Sequence, residues 1–238
     1  MSSLNNLTHD VLMNLYFKKG IKAADAKVRQ LLEQCETTSK DNIHDRGVIK
    51  GELSEVYLEY HLLWWMSHAQ CLTTVKSLCM KSKESNATAE IDILLASPCR
   101  IYLFECKSFK GDKTLTKECF LKGKSSEKDV YEQSRYHLKI LNEHICDCHY
   151  PGEYKTKPYK LILFELSTTG IDDQRAEQWK KTIPLLTMDT LDTWIAGELQ
   201  RNSQVQWNYE KLTQTLAELD AKSADMFKFH MHKIMNRR

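Results

Sequence analysis

Residues 88–113 read TAEIDILLASPCRIYLFECKSFKGDK, and this stretch restricts the fold most. Two apolar runs, Glu90–Ala96 and Arg100–Ser108, flank a turn at Ser97, Pro98 and Cys99, the pattern of a hairpin. Runs this apolar pack inside a sheet, where an unpaired charge is expensive. Yet Asp92 interrupts the first run, and Glu105 and Lys107 interrupt the second. Residues two apart on a strand face the same way, so Glu105 and Lys107 share one face while Phe104 and Cys106 take the other. Asp92 comes in from the neighbouring strand, with Glu90 at the rim. Two carboxylates held within a few Å repel unless a cation lies between them. Oxygen ligands of this kind suit Mg²⁺ or Mn²⁺, which keep several waters and accept phosphate oxygens. With a lysine to hold the attacking water, these are the parts needed to hydrolyse a phosphodiester. The plainer reading, a cross-face ion pair on an exposed strand, conflicts with the apolar residues on both sides of the charges.

The rest of the chain supplies an α/β frame for that hairpin. Two helical stretches, broken at Gly20, fill Leu7–Thr37, and the second carries Ile21, Ala24, Val28, Leu31 and Leu32 as one stripe. A strong helix is expected over Val48–Ser67, and CLTTVKSLCM reads as a strand. After the hairpin, Phe109–Lys128 reads as a long lysine-rich loop, EKDVYEQSRYHLKILNEHI as a helix and YKLILFEL as a buried strand. A short helix is expected at DDQRAEQWKK and a strand running into a helix at TIPLLTMDTLDTWIAGEL; a last helix covers Tyr209–Phe229. Three regions follow: a helical extension over 1–46, a core over 47–200 and a C-terminal helix with a basic tail over 201–238.

At 238 residues the chain can bury one sizeable core. With 34 basic against 32 acidic residues, net charge demands no nucleic-acid partner, so any such binding rests on local patches. The N-terminus lacks the basic and apolar segments of a signal peptide, and no apolar run reaches the roughly 18 residues of a membrane helix. The eight cysteines read as reduced thiols of a cytoplasmic protein with no membrane partner.

Asp92 followed, after twelve residues, by Glu105-Cys106-Lys107 resembles the Asp…Glu-x-Lys signature of the PD-(D/E)XK nuclease superfamily. Upstream, GELSEVYLEYHL is similar to the Gly-x-x-Gly-Glu-x-x-Val-x-x-x-Leu helix of its nuclease-related (NERD) branch: Gly51, Glu55, Leu58 and Leu62 fall on the pattern, while Ser54 replaces the second Gly. FECKSFKGD resembles that branch's strand end, and Ile91 stands where the superfamily name has Pro. Gln133 sits where such nucleases carry a helix Gln facing the site. The resemblance spans roughly 48–199 and implies a restriction-endonuclease-like mixed sheet flanked by helices. It implies Mg²⁺ or Mn²⁺ held by Asp92, Glu105, the Cys106 carbonyl and Glu55, with Lys107 positioning the attacking water and Gln133 orienting Lys107 or a phosphate. Glu52 and Glu59 compete with Glu55 for the helix acid. The implied activity is endonucleolytic hydrolysis of DNA rather than RNA, with a homodimer or a targeting protein as partner.

Lys110, Lys113, Lys117, Lys122 and Lys124 follow the catalytic strand and would form a basic, sequence-independent phosphate surface. His144, Cys146, Cys148 and His149 are spaced too tightly for an ordinary zinc site. Glu165 reads as a surface acid at a strand end. A rival reading keeps the fold as a non-catalytic nucleic-acid-binding or assembly module.

Overall fold

The stripe predicted around Val48–Ser67 becomes the long helix on which the molecule is assembled. In the computed structural model, residues 2–37, 43–107, 113–122, 127–151, 158–166, 171–201 and 204–235 are described. Helices α1 (Ser2–Lys19) and α2 (Ile21–Thr37) are separated by Gly20, whose φ of 84° suits glycine, and precede the long helix α3 (Ile43–His68). Strands β1 (Thr73–Lys81), β2 (Thr88–Ala96) and β3 (Ile101–Lys107) then form an antiparallel meander.

The expected loop after β3 instead carries β4 (Lys113–Leu115), β5 (Phe120–Lys122) and β6 (Glu127–Asp129), three-residue strands too short to announce themselves by periodicity. Helix α4 (Val130–Ile145) follows, its N-terminus capped by Asp129, whose Oδ1 accepts the Glu132 N–H at 2.9 Å. Next come β7 (Tyr159–Glu165), β8 (Ile171–Asp173), α5 (Glu177–Thr182), β9 (Leu185–Leu186), α6 (Leu191–Arg201) and α7 (Tyr209–Met235). The helix expected from Asp172 starts only at Glu177, because Ile171–Asp173 pairs with β4 as β8.

The main sheet has the order β1-β2-β3-β7-β9, with β7 and β9 joining β3 in parallel. This mixed sheet flanked by helices, with further helices at both ends of the chain, is the architecture that the sequence implied. A second sheet runs β6-β5-β4-β8. On one face of the main sheet, α1, α2, α3 and α6 bury Leu12, Val28, Leu53 and Ile195 against Ile93, Phe104 and Phe164. On the other, α4 and α7 bury Ile140 and Leu212 against Leu94 and Leu103. Helix α3 is apolar around most of its circumference because the first two helices cover the side turned away from the sheet.

Candidate active site

The site lies where β2 and β3 part. Their ladder runs from Ala96↔Ile101 to Ile93↔Phe104 and stops one step before Asp92 and Glu105. On the other side of β2, Lys76↔Ile93 and Leu78↔Ile91 are paired but the step between them is not, and Ser77 there has a φ of 49°, uncommon outside glycine. Both strands change faces at this step: Val75 and Leu78, like Ile91 and Leu94, all pack on the α4/α7 side. Strict alternation would have sent the two members of each pair to opposite faces. The break frees Asp92 from the ladder, and its Oδ2 accepts the Cys106 N–H at 2.7 Å.

On β3 the alternation holds as the sequence indicates. Phe104 and Cys106 turn to the α3 side, and Glu105 turns to α4. The Lys107 ammonium donates to Glu105 Oε1, while His137 on α4 lies 3.4 Å from Oε2. Burial would lift the Glu105 pKa, but His137 and Lys107 outweigh it and hold the carboxyl below its usual range. Asp92 goes the other way. Burial, then the Glu105 charge, push it well above the ordinary carboxylate value, against the opposing pull of Lys107 and the Cys106 N–H. Burial also disfavours charge on Lys107, yet Glu105 and Asp92 together raise its pKa and keep it an ammonium. Two neighbouring carboxyls driven in opposite directions are a common mark of acid–base chemistry.

Of the three acids on α3, Glu59 is tied to Lys76 at 2.9 Å and to His9 at 3.0 Å. Glu55 instead feels burial first and Lys76 second, with Glu90, Glu52 and Glu59 repelling it, and its pKa is pushed up to about 7. Its field reaches Asp92. Glu90 joins the same group, raised by burial and exposed to the charges of His137 and Glu105. The structure therefore gathers Asp92, Glu105, Lys107, Glu55 and Glu90. Gln133 is half-buried on α4 and has no hydrogen bond to Glu105 or Lys107; the α4 side chain that reaches the fork is His137, one turn further on, and it meets Glu105 rather than Lys107. A lone histidine on an amphipathic helix gave little warning, although its position four residues after Gln133 puts it on the same face.

The basic surface expected after β3 changes in composition. Lys113 is fully buried and donates to Glu165, itself fully buried, so Lys113 is unavailable to phosphates and Glu165 is no surface acid. Lys117 and Lys122 are exposed, while Lys110 and Lys124 lie outside the described residues. His144 bonds the Lys81 carbonyl, Cys148 pairs with Thr215 and His149 packs edge-on against Trp207, so the His/Cys cluster is spread among separate contacts.

Among the described residues no group of three or more His, Cys, Asp or Glu side chains forms a ready metal cage. The fork does offer Asp92 and Glu105 as hard oxygen donors with the Cys106 backbone beside them, and the raised Asp92 pKa marks a place where a cation would replace a proton. This donor set fits Mg²⁺ or Mn²⁺, which binds through one or two carboxylates and keeps most of its waters.

Residues 59–165 match the family model of the nuclease-related domain, NERD. This segment resembles a nuclease-related domain. It opens at Glu59 on α3 and closes at Glu165 at the end of β7, enclosing Asp92, Glu105, Lys107 and His137 and leaving Glu55 four residues upstream. No curated protein matches the chain. Among solved structures, a protein of unknown function, AF1548, aligns over 75% of this chain and 97% of its own at 10% identity, with a TM-score of 0.30. The small subunit R.BspD6I2 of the heterodimeric restriction endonuclease R.BspD6I aligns over 87% of this chain and 98% of its own, at 14% identity and a TM-score of 0.28. Both superpositions are too loose to transfer detail. Among the described residues, no helix is long and apolar enough to cross a membrane.

Proposed function

We propose that the protein is a metal-dependent endonuclease that hydrolyses DNA phosphodiester bonds in the fork between β2 and β3. The observation that carries this reading is the meeting of Asp92, Glu105 and Lys107 where the β2–β3 ladder breaks, with Asp92 held by the Cys106 N–H and Lys107 bound to Glu105. Asp92, Glu105 and the Cys106 carbonyl would hold Mg²⁺ or Mn²⁺, which when bound supplies Lewis acidity toward a phosphate oxygen and lowers the pKa of water. Lys107 orients the attacking water and neutralises charge at phosphorus. Glu55, with a pKa near 7, is suited to accept the proton that the water loses. A bond forms between the water oxygen and phosphorus, the P–O3′ bond breaks with inversion, and the 3′ oxygen leaves. Gln133 is a weaker candidate for a phosphate contact, and Lys117 and Lys122 line the flank. A second protomer or a partner protein would supply the cut on the other strand. Eight free thiols agree with a reducing, cytoplasmic setting, and restriction of foreign DNA, a mobile element or DNA repair are the roles that suit such an activity.

Supercoiled plasmid incubated with the purified chain and Mg²⁺, Mn²⁺ or EDTA tests the proposal. Metal-dependent nicking is expected, lost in Asp92→Ala and in Lys107→Ala. No nicking by the parent, with calorimetric Mn²⁺ binding unchanged in Asp92→Ala, would overturn it in favour of a non-catalytic nucleic-acid-binding module.

A further inference from the structure

The junction of α1 and α2 combines two features that a solvated surface rarely holds together. Phe17 is 71% exposed, more than any other large hydrophobic residue among the described ones. Its ring lies 5.1 Å from Tyr16, and both line, with Trp64 of α3, an open groove of about 530 Å³, a size within the usual range of ligand clefts. Tyr16 stacks on Tyr60 at 5.6 Å, and Trp64 stacks on His68 at 4.1 Å.

Lys19 and Lys22 line the groove and Lys18 lines the adjacent cleft that shares Lys19; all three are exposed and none has an ion-pair partner among the described residues. The nearby acids are engaged elsewhere: Asp25 takes bonds from Tyr60 and His61, and Asp10 lies beside His9. An apolar protein partner would cover the aromatics but leave the exposed lysines without counter-charge. A flexible anion with flat apolar faces matches both features, since bases stack on aromatic rings and phosphates pair with lysines.

We infer that this groove is a second nucleic-acid subsite, in which an unpaired base of a single-stranded DNA segment stacks on Phe17 while its flanking phosphates are held by Lys18, Lys19 and Lys22. The inference rests on the nuclease reading for the identity of the anion. Its placement is compatible with one continuous substrate. His9 on α1 reaches Glu59, and Glu59 binds Lys76, whose charge acts on Glu55. Phe17 lies eight residues beyond His9, about 12 Å along the helix.

The test is fluorescence anisotropy of the full chain in EDTA, where cutting is suppressed, with a labelled oligothymidylate and a blunt duplex of equal length. Phe17→Ala is expected to weaken oligothymidylate binding by roughly five- to 100-fold, the range for loss of one base–aromatic stack, and duplex binding by much less. Replacing Lys18, Lys19 and Lys22 by Ala should lower the log–log salt slope for the single strand by about 2. If the parent nicks plasmid but both variants bind like it, the subsite is wrong and the nuclease reading stands. If the parent neither binds nor cuts DNA, both fall. Loss of binding to anionic phospholipid vesicles in the same variants, with DNA binding unchanged, would assign the patch to a membrane surface and also overturn the inference.

Discussion

At the scale of single residues, the charges in the fork were legible because they violate a rule: acids inside apolar strands need a reason. Sequence pattern named Glu55 as the helix acid with Glu52 and Glu59 as competitors, and their partners distinguish Glu55 from Glu59. Glu59 lies 2.9 Å from Lys76 and 3.0 Å from His9, whereas the Glu55 charge acts on Asp92 and its own pKa is raised. Glu55→Gln is therefore expected to cut the nicking rate by about 10²-fold or more, the usual worth of a general base, while Glu59→Gln keeps most of it. Equal losses in single-turnover assays would refute the distinction. His137 was missed altogether, because only the fold brings α4 onto β3. Holding Glu105 from its second oxygen, it should matter as outer-shell partners do: His137→Ala is expected to weaken calorimetric Mn²⁺ binding by about 10- to 100-fold, with His137→Gln partly restoring it. Lys113 was misread for a related reason. Its partner Glu165 is distant in sequence, and a buried pair made across two sheets leaves no local trace. Removing one member strands a buried charge, so Lys113→Met should cost about 3–5 kcal/mol in urea unfolding, and the double change with Glu165→Leu should cost less. A neutral Lys113→Met would return that residue to the surface.

Among elements, the ones recovered from sequence were long and periodic, such as α3, β2, β3, α4 and α7. The second sheet was not, since β4, β5, β6 and β8 are three residues each and gain their meaning from neighbours. What holds α2 and α6 to α3 was equally hidden. His61, buried on α3, stands between Asp25 of α2 at 3.0 Å and Asp192 of α6 at 3.1 Å, with Tyr57 packed on its ring and Trp65 donating to Asp192. Burial alone would lower the imidazole pKa, but the two carboxylates outweigh it and raise it. Burial raises Asp192 as well, yet His61 brings it down. A raised histidine contributes stability that is fully present below its unfolded pKa, about 6.5, and is lost as pH rises through the higher folded value. The lowered Asp192 contributes above its unfolded pKa, about 3.9, and its share is lost as pH falls through the lower folded value. The clasp is thus strongest between about pH 4 and pH 6.5. Thermal unfolding of the parent should weaken from pH 6 to pH 9, whereas His61→Gln should start about 2 kcal/mol lower at pH 6 and decline less. Parallel profiles for the two proteins would mean that His61 is neutral throughout.

For the whole molecule, the question is whether the first two helices are an appendage or part of the core. Read in sequence, residues 1–46 were an extension of the nuclease-like region, since the motif starts later and Gly20 marks a break. The packing assigns them more weight. Leu12, Ala24, Val28 and Leu32 are fully buried in the same cluster as Leu53, Tyr57, Phe104 and Phe164, and Asp25 supplies half of the clasp on His61. Burying Leu12, Val28 and Leu32 is worth roughly 5–9 kcal/mol together, at about 1.5–3 kcal/mol for each side chain. A domain's net stability is only about 5–15 kcal/mol, so losing these contacts would consume most of it. Deleting residues 1–42 would also bare Tyr60 and the outer face of α3, which is apolar where α1 and α2 now cover it. The shortened chain is therefore expected to lose its cooperative thermal transition and its near-ultraviolet circular dichroism, and to bind a hydrophobic dye. If residues 43–238 instead unfold cooperatively within a few degrees of the full chain, the helical pair is a separable module. The fork would then owe its geometry to the sheet and α4 alone.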